Sequence, residues 1–433
     1  MSILAEIRAR NVGHELPFLL HGERALHFRE IDRVPTADLG AVAPGDVVAL
    51  IGDFEPRSIR TLLELIDRRA VVVPLTQETR PSHPYFFDAA RVNVLIEGDR
   101  IERLAPKQLD HPFLDQLRQA EHPGLVLFSS GTSGRPKAIL HDFAAFLVRY
   151  RTPRPALRTI NFLLFDHIGG INTLLHTLYN RGVVVVPTER TPAAILGDIE
   201  RHAVELLPTT PTFLRMLLMS GLLDQGVPAS LRAITYGTER MDQPTLDELC
   251  ALLPAVDFRQ TYGMSELGIL RVRSEARNSL WMAVGGEGVR TRIVDDVLHI
   301  HAEHRMQGYL NAPSPFDADG WYDTKDLVAT KPGGWVRIVG RTTEVISVGG
   351  LKVLPEEIER AALLHPTVLH AKAYGAPNPI TGQHVELICE PKPGATLDRA
   401  AIRAHMRASI AETFVPHRIK IEPVSVGHRF KKL

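Results

Sequence analysis

Residues 46–75 read DVVALIGDFEPRSIRTLLELIDRRAVVVPL, in which two β-branched apolar runs flank a helical pattern. The same alternation returns further along the chain, with LVLF before residue 129, NFLLF before His167, GVVVVP after Arg181 and LRAITYG around Tyr236. Strands that alternate with helical patterns are typical of a mostly parallel sheet whose faces are covered by helices. The sequence therefore predicts an α/β fold.

The pattern changes from about residue 285, where short strands follow one another closely in TRIVDDVLHIHA and GWVRIVGR. Such spacing favours a small antiparallel, barrel-like subdomain. A helix at PEEIERAALLHP, with strands near LHAKAYG and HVELICEP, then indicates a small α+β unit. We expect a large N-terminal domain of mixed and parallel sheets with helices over residues 1–342, and a small mobile C-terminal lid over 343–433.

The composition is that of a multidomain globular protein. The 433 residues exceed what one compact core usually holds, and 44% of them are hydrophobic. Lys+Arg and Asp+Glu balance at 50 each, so no overall field favours nucleic acid or an anionic membrane. Cys250 and Cys389 match no metal or redox spacing, and the first residues lack a signal-peptide pattern. We expect a cytoplasmic protein, a monomer or a homodimer, that binds neither nucleic acid nor membrane.

A loop rich in Ser and Gly follows the strand LVLF and reads SSGTSGRPKA over residues 129–138. Small residues let a backbone wrap around phosphates, hydroxyls can donate, and a lysine supplies a cation. The loop is not a Walker sequence, because Pro136 precedes the lysine and Ala138 follows it. A flexible surface turn is the alternative, and a helix is expected from about His141. The predicted phosphate ligands are Ser129, Ser130, Gly131, Thr132, Ser133, Gly134 and Lys137.

The loop resembles the signature of the adenylate-forming superfamily, which comprises acyl- and aryl-CoA synthetases, peptide-synthetase adenylation domains and luciferases. The segment QTYGMSELG, residues 260–268, resembles a second motif of that superfamily. The resemblance implies that Tyr262 and Gly263 lie near adenine, that Ser265 meets phosphate, and that Glu266 holds Mg²⁺ between ATP oxygens. One carboxylate shared with phosphates is a common way to bind magnesium.

Further segments resemble the same superfamily in the same order. YGTE carries Gly237 and Thr238, whose backbone would pack against adenine. WYDTKDLV carries Asp326, which would hold the ribose hydroxyls, although Lys325 stands where Gly is usual and is expected to crowd the turn. Arg341, in the GRTTE stretch, would reach ribose or phosphate with its fork of donors.

FDHIGGINTLLHTL, residues 165–178, resembles the helix start that walls the acyl pocket in acyl- and aryl-CoA synthetases. His167 would close the pocket as a catalytic-site residue, Gly169 and Gly170 would make room, and Tyr236 would line it. The alternative for His167 is a helix cap. These residues suggest a compact acid, for instance an aromatic one, rather than a long fatty chain.

The C-terminal segments imply a moving lid. The resemblance puts the hinge at Thr343, and Gly349 and Gly350 where a pantetheine arm would pass. Members of the superfamily carry a catalytic lysine near the end; here EPVSVGHRFKKL offers Lys431 or Lys432, with a solvated basic tail as the alternative.

The implied activity is attack of a carboxylate on ATP to form acyl-AMP and pyrophosphate, followed by transfer of the acyl group to a thiol. ATP, Mg²⁺, a small carboxylic acid and CoA would be the ligands. Two alternatives remain open: a stand-alone adenylation enzyme that loads the phosphopantetheine of an acyl carrier protein, and a non-catalytic nucleotide-binding homologue.

Overall fold

The computed structural model describes residues 2–105, 110–129, 135–392, 394–424 and 427. Its α-helices are α1 (Ile3–Arg10), α2 (Pro56–Asp67), α3 (His83–Ala90), α4 (Pro112–Ala120), α5 (Phe143–Leu147), α6 (Ile168–Tyr179), α7 (Pro192–His202), α8 (Pro211–Met219), α9 (Gln243–Leu252), α10 (Pro355–Leu363) and α11 (Arg399–Arg407). Short 3-10 helices occupy Phe28–Arg33, Leu39–Ala41, Gln77–Ser82, Val148–Tyr150, Leu222–Gln225, Thr342–Glu344 and Glu412–Phe414.

The strands of the first half are β1 (Leu19–His21), β2 (Arg24–Leu26), β3 (Val47–Ile51), β4 (Val71–Leu75), β5 (Val94–Glu97), β6 (Arg100–Arg103), β7 (Gly124–Phe128), β8 (Ala138–Asp142), β9 (Arg158–Ile160), β10 (Val183–Val186), β11 (Leu206–Thr209) and β12 (Ala233–Tyr236). The later strands are β13 (Asp257–Gln260), β14 (Tyr262–Met264), β15 (Gly268–Ser274), β16 (Met282–Gly285), β17 (Val289–Val294), β18 (Val297–Ala302), β19 (Gly308–Tyr309), β20 (Tyr322–Lys331), β21 (Trp335–Arg341), β22 (Ile346–Val348), β23 (Leu351–Val353), β24 (Val368–Asn378), β25 (Gly382–Pro391) and β26 (Arg418–Ile421).

The first sheet has the order β6-β5-β3-β4-β7-β8-β19, and its inner strands β5, β3, β4 and β7 are parallel. All five residues of β3 are buried, because helices cover both faces of the sheet. Val48 and Leu50 enter one core with α2, whereas Val47, Ala49 and Ile51 enter another with α3 and α4. The alternation of strand side chains thus explains the continuous apolar runs of the sequence.

The second sheet has the order β13-β12-β11-β9-β10-β1-β2 and is parallel apart from the hairpin between β1 and β2. One face packs against α7, α8 and α9 through Ile160, Leu207 and Ile234. The other face carries Val184 towards the core that contains α6. The α/β prediction is confirmed for both sheets.

The third sheet is antiparallel, with the order β14-β15-β16-β21-β20-β18-β17. It begins at Tyr262, earlier than the residue 285 expected from the spacing of short strands. Strand β19 leaves this region and pairs with β8 at the edge of the first sheet. This pairing connects the antiparallel part of the large domain to the first sheet, beside the loop between β7 and β8.

The C-terminal residues form a small α+β unit, as expected. Strands β23, β22, β25 and β24 are antiparallel neighbours, and β26 pairs with β25 in parallel. Their core with α10 and α11 runs from Ile346 to Ile419 and is separate from the cores of the large domain. We call this unit the lid. Across the described ranges, no helix has the length and apolar character to cross a membrane.

Candidate active site

The loop predicted to hold phosphate is closed at its base by a pair of hydrogen bonds. Strands β7 and β8 are antiparallel, with Phe128 opposite Ala138. The Ser129 amide donates to the Lys137 carbonyl at 3.1 Å, and the Lys137 amide donates to Ser129 Oγ at 2.9 Å. Five predicted ligands, Ser130, Gly131, Thr132, Ser133 and Gly134, lie outside the described residues.

A strand separates this loop from the helix that was expected to start near His141. Residues 138–142 pair with β7, and the helix starts only at Phe143, after Asp142 caps it. The first four residues of this strand, AILH, are all buried, as expected for a strand covered on both faces. His141 is consequently held inside the sheet edge, where its Nε2 donates to the Ser265 carbonyl at 2.6 Å.

Glu266 lies next to the loop through a shared tyrosine. The carboxylate is 8% exposed, and its Oε1 accepts a hydrogen bond of 2.8 Å from the Tyr309 hydroxyl. The Lys137 Nζ lies 4.8 Å from the centroid of the same tyrosine ring. Burial, together with the Glu266 charge, raises the pKa of Tyr309, so its hydroxyl stays a donor. The Lys137 ammonium and the buried Glu266 carboxylate therefore both contact the same tyrosine side chain.

Asp326 forms a second charged cluster with the other predicted nucleotide ligands. Its Oδ2 accepts a hydrogen bond of 2.6 Å from Tyr262, and its Oδ1 lies 2.9 Å from Arg341 Nε. Arg341 also donates to the Thr324 carbonyl at 3.1 Å. The Tyr262 hydroxyl is thus committed to Asp326, while the ring remains on the wall of the cavity.

Lys325 adopts a left-handed backbone with φ of 64°. A Gly at this position would carry no side-chain penalty, whereas Lys is strained there. Its side chain turns back to Asp323, with Nζ 2.5 Å from Oδ2. The turn accommodates Lys325 by adopting this strained backbone conformation. The Lys325 ammonium pairs with Asp323 and so points away from Asp326.

The loop after β12 is held in place at Gly237 and Glu239, on either side of Thr238. A Cβ on Gly237 would lie 2.2 Å from Thr261 Oγ1, so only glycine fits. Thr238 has φ of 71° and lines the cavity, and its hydroxyl has no hydrogen-bond partner among the described residues. Glu239 accepts hydrogen bonds from the Thr212 amide and hydroxyl at the start of α8.

Tyr236 does not line the pocket as expected. Its side chain is 1% exposed and belongs to the core under α7, α8 and α9. Successive strand residues face opposite sides of a sheet, so Thr235 lines the cavity instead. The predicted pocket residue was therefore off by one position, since Thr235 and not Tyr236 borders the cavity.

His167 acts as the N-cap of α6 and also borders the cavity. Its Nδ1 accepts a hydrogen bond of 3.0 Å from the Gly169 amide, which confirms the capping alternative. The side chain is 8% exposed and lies on the cavity wall. A Cβ on Gly169 would come within 2.5 Å of Leu163, and one on Gly170 within 2.1 Å of the Leu164 carbonyl. Gly170 is therefore required by close backbone packing and leaves no room for a ligand.

The lid meets the large domain beside these clusters. Thr343, the predicted hinge, lies in the 3-10 helix Thr342–Glu344 and borders the cavity. Gly349 and Gly350 have φ of 57° and 85° in the turn between β22 and β23, and they do not line the cavity in this arrangement. Lys431 and Lys432 lie outside the described residues.

Sequence reasoning missed Arg240, which clasps the lid. Its Nη1 lies 2.5 Å from Glu356 Oε2 at the start of α10 and 3.2 Å from the Val339 carbonyl, and its Nη2 lies 3.3 Å from Glu344 Oε2. Tyr309, the bridge between Lys137 and Glu266, was missed as well. Both depend on chain segments far apart in sequence, so no local pattern could have indicated them.

The clusters open on one cavity of about 1710 Å³ between the large domain and the lid. Its wall includes predicted residues from both parts of the chain: Ser129, Lys137, His167, Gly169, Thr238, Tyr262, Gly263, Ser265, Glu266, Asp326, Arg341 and Thr343. The described side chains include no group of three or more His, Cys, Asp or Glu that could hold a metal ion. A cation at Glu266 would need further ligands from a bound phosphate or from water.

A fold of two parallel-sheet layers, an antiparallel subdomain and a lid, with this cleft between them, defines an adenylate-forming enzyme. The family model of AMP-binding enzymes matches residues 26–310, and that of the AMP-binding enzyme C-terminal domain matches residues 357–424. The chain belongs to the AMP-binding enzyme family.

Similar proteins include ligases and synthetases. A sulfoacetate–CoA ligase of Cupriavidus necator is 29% identical over 396 residues, which cover 85% of this chain and 77% of that protein. An acyl-CoA synthetase of Gibberella moniliformis is 27% identical over 362 residues, 69% of this chain and 63% of that protein. The crystal structure of ATP-bound MatB from Rhodopseudomonas palustris superposes with a TM-score of 0.80 at 20% identity, covering 98% of this chain and 96% of that one. The superposition with MatB confirms the fold.

Proposed function

We propose that this enzyme activates a carboxylic acid with ATP to form acyl-AMP and pyrophosphate, and then transfers the acyl group to a thiol. The bridge from Lys137 through Tyr309 to Glu266 carries the proposal, because it puts the base of the Ser/Gly loop beside a buried carboxylate. Asp326 and Arg341 border the same cavity. Family membership supports the same chemistry.

The first step joins two anions, so the site must offset their repulsion. A carboxylate oxygen of the acid attacks the α-phosphorus, the new O–P bond forms, and the bond to pyrophosphate breaks. Lys137 and Arg341 are among the described cations that border the cavity. Lys431 or Lys432 stays our candidate for a further cation, supplied from the tail.

Glu266 fits a magnesium ion shared with phosphate. Tyr309 donates to Oε1, and no described residue donates to Oε2, so that oxygen can serve as a ligand. Magnesium prefers oxygen ligands and keeps much of its shell from water and phosphate, which suits a single protein carboxylate. When bound there it would neutralise charge that develops on pyrophosphate.

The ribose and adenine contacts follow from the second cluster. Asp326 would accept hydrogen bonds from the ribose hydroxyls, with Arg341 holding the carboxylate in place at 2.9 Å. Adenine would pack between the Tyr262 ring and the loop at Gly237 and Thr238. Gly263 belongs to this wall. A larger residue would not fit there, because its Cβ would lie 2.6 Å from the Gly268 carbonyl.

The second step requires the thiol to reach the adenylate. We assign the hinge to Thr343 and the domains to 1–342 and 343–433, because the lid has a core of its own. Gly349 and Gly350 lie away from the cavity here, so rotation would have to bring them to it. The thiol sulfur then bonds to the carbonyl carbon while AMP leaves, and lid closure limits hydrolysis.

Pyrophosphate exchange into ATP with a panel of acids tests the first step. Glu266→Gln should lower the exchange rate by about 100-fold or more, the usual cost of one electrostatic stabiliser. Glu189→Gln, at an exposed position that does not line the cavity, is the matched control. Lack of ATP binding by the unaltered protein would refute the proposal, as would equal exchange by both variants.

The acceptor is decided by a separate experiment. The acyl-AMP is formed with one active acid, and either free CoA or a phosphopantetheinylated carrier protein is then added. We propose CoA as the acceptor, since a CoA ligase is among the relatives with high coverage. Acylation of the carrier protein without acylation of CoA would favour the stand-alone adenylation enzyme.

A further inference from the structure

One face of α6 forms a wall of the cavity over most of the helix. The lining residues are spaced by three and four positions, which puts them on one side of a helix; they are Gly169, Asn172, Thr173, His176 and Thr177. The last residue lies eight positions after the first, and a rise of 1.5 Å per residue gives a wall about 12 Å long. The cavity therefore continues beyond His167 as a channel along α6.

The second sheet forms the opposite wall of this channel. Thr159 on β9, Leu206 and Pro208 on β11, and Thr235 on β12 line the cavity. Strand pairing places Thr159 beside Leu206 and Pro208 beside Thr235, so all four lie on one face of the sheet. The residues between them enter the core on the other face. Val184 on the same face packs against α6, whereas Thr159 on the adjacent strand borders the cavity.

The channel is polar, and one of its side-chain donors has no acceptor among the described residues. Asn172 Oδ1 accepts a hydrogen bond of 3.1 Å from Tyr150, and within the described ranges nothing accepts from its Nδ2. The Asn172 amide donor therefore lies beside the space where the acid would lie.

The remaining channel residues supply acceptors. The Thr173 and Thr177 hydroxyls each donate at 2.8 Å to a carbonyl one turn earlier in α6, so their lone pairs remain. Burial and the nearby Arg154 lower the pKa of His176, which favours a neutral ring with one donor and one acceptor. An aliphatic chain in this channel would leave these groups unmatched and without water, which is unfavourable.

We propose that the activated acid is an elongated polar acid, up to about 12 Å long, whose hydroxyl, amide or similar groups hydrogen-bond to Asn172 and His176. The inference rests on the proposed function and narrows its substrate class. It departs from the compact aromatic acid suggested by the sequence, because the channel extends past the glycines at the start of α6. Asn172 and His176 are the residues that determine this specificity.

Pyrophosphate exchange with matched pairs of acids tests the inference on the unaltered enzyme. Hexanoate is compared with its terminal hydroxyl and terminal amide derivatives, and phenylpropanoate with its para-hydroxyl derivative. We expect the polar member of each pair to have a kcat/KM about 10- to 100-fold higher, the effect of one or two unmatched buried groups. Equal or greater activity with the apolar members would overturn the inference alone.

Variants provide a second measurement. Asn172→Leu and His176→Leu should each lower the preference for the polar acid by about tenfold, mainly through KM, and leave ATP binding unchanged. His202→Leu, on α7 and away from the cavity, is the matched control. An unchanged preference in both channel variants would overturn the assignment. Absence of exchange with every acid, in a protein that binds ATP, would refute the proposed function as well.

Discussion

Replacing His141 should remove a pH dependence from the stability of the large domain. The ring is 1% exposed, its Nε2 donates to the Ser265 carbonyl at 2.6 Å, and it packs edge-on against Phe146. Burial is the main reason that its pKa falls from 6.5 to about 4, and the nearby Arg149 adds to the shift. The proton is therefore bound more readily by the unfolded chain than by the folded one.

The size of the effect follows from this difference in pKa. Stability is intact above pH 6.5 and is lost as the pH falls towards 4, because only the unfolded chain is protonated in that window. The loss is about 2 kcal/mol between pH 7.5 and pH 5, and about 3 kcal/mol when the titration is complete. His141→Gln can keep a donor near the Ser265 carbonyl but has no proton to bind.

Denaturant unfolding at pH 7.5 and pH 5, followed by tryptophan fluorescence, measures the difference. The three tryptophans, Trp281, Trp321 and Trp335, lie within or beside the third sheet, which the His141 contact adjoins. The unaltered protein should lose about 2 kcal/mol more than His141→Gln over this range. His21→Gln, at an exposed position, is the control. Equal pH dependence in the His141 variant and the unaltered protein would refute the reasoning.

Three further substitutions test other features. Lys325→Gly should raise the free energy of unfolding by up to ~1 kcal/mol, since it relieves a left-handed Lys, and a lower value in the same fluorescence assay would contradict this. Arg240→Met should free the lid from Glu356, so hydrogen exchange in α10 should rise several-fold; unchanged exchange would mean that the clasp does not hold the lid. Tyr309→Phe should lower pyrophosphate exchange about tenfold without unfolding the protein, and full activity would show that Glu266 needs no donor.

The regular parts of the fold were predictable because burial leaves a direct signature in the sequence. The fully buried strands β3 and β4 appear as continuous apolar runs, and α2 carries its apolar residues three and four positions apart. The strand after the phosphate loop was not predicted because AILHD is short, and a short apolar run fits a strand as well as a helix start.

The site was predictable only where one short segment supplies the residue. Glu266, Asp326 and Arg341 border one cavity as the motifs implied. Tyr236 failed because a motif match does not tell which face of a strand a side chain takes, and Thr235 occupies the pocket side. Tyr309 and Arg240 act through contacts with residues 43 and 116 positions away, so only the folded chain indicates them.

The pairing of β19 with β8 determines when a newly synthesised chain can complete its candidate active site. Its two residues complete the edge of the first sheet beside β8, although some 165 residues separate the two strands. A nascent chain could assemble both parallel sheets on the ribosome and still lack Tyr309. On the proposed function, triphosphate capture would begin only after that strand docks, so an incomplete chain would not consume ATP.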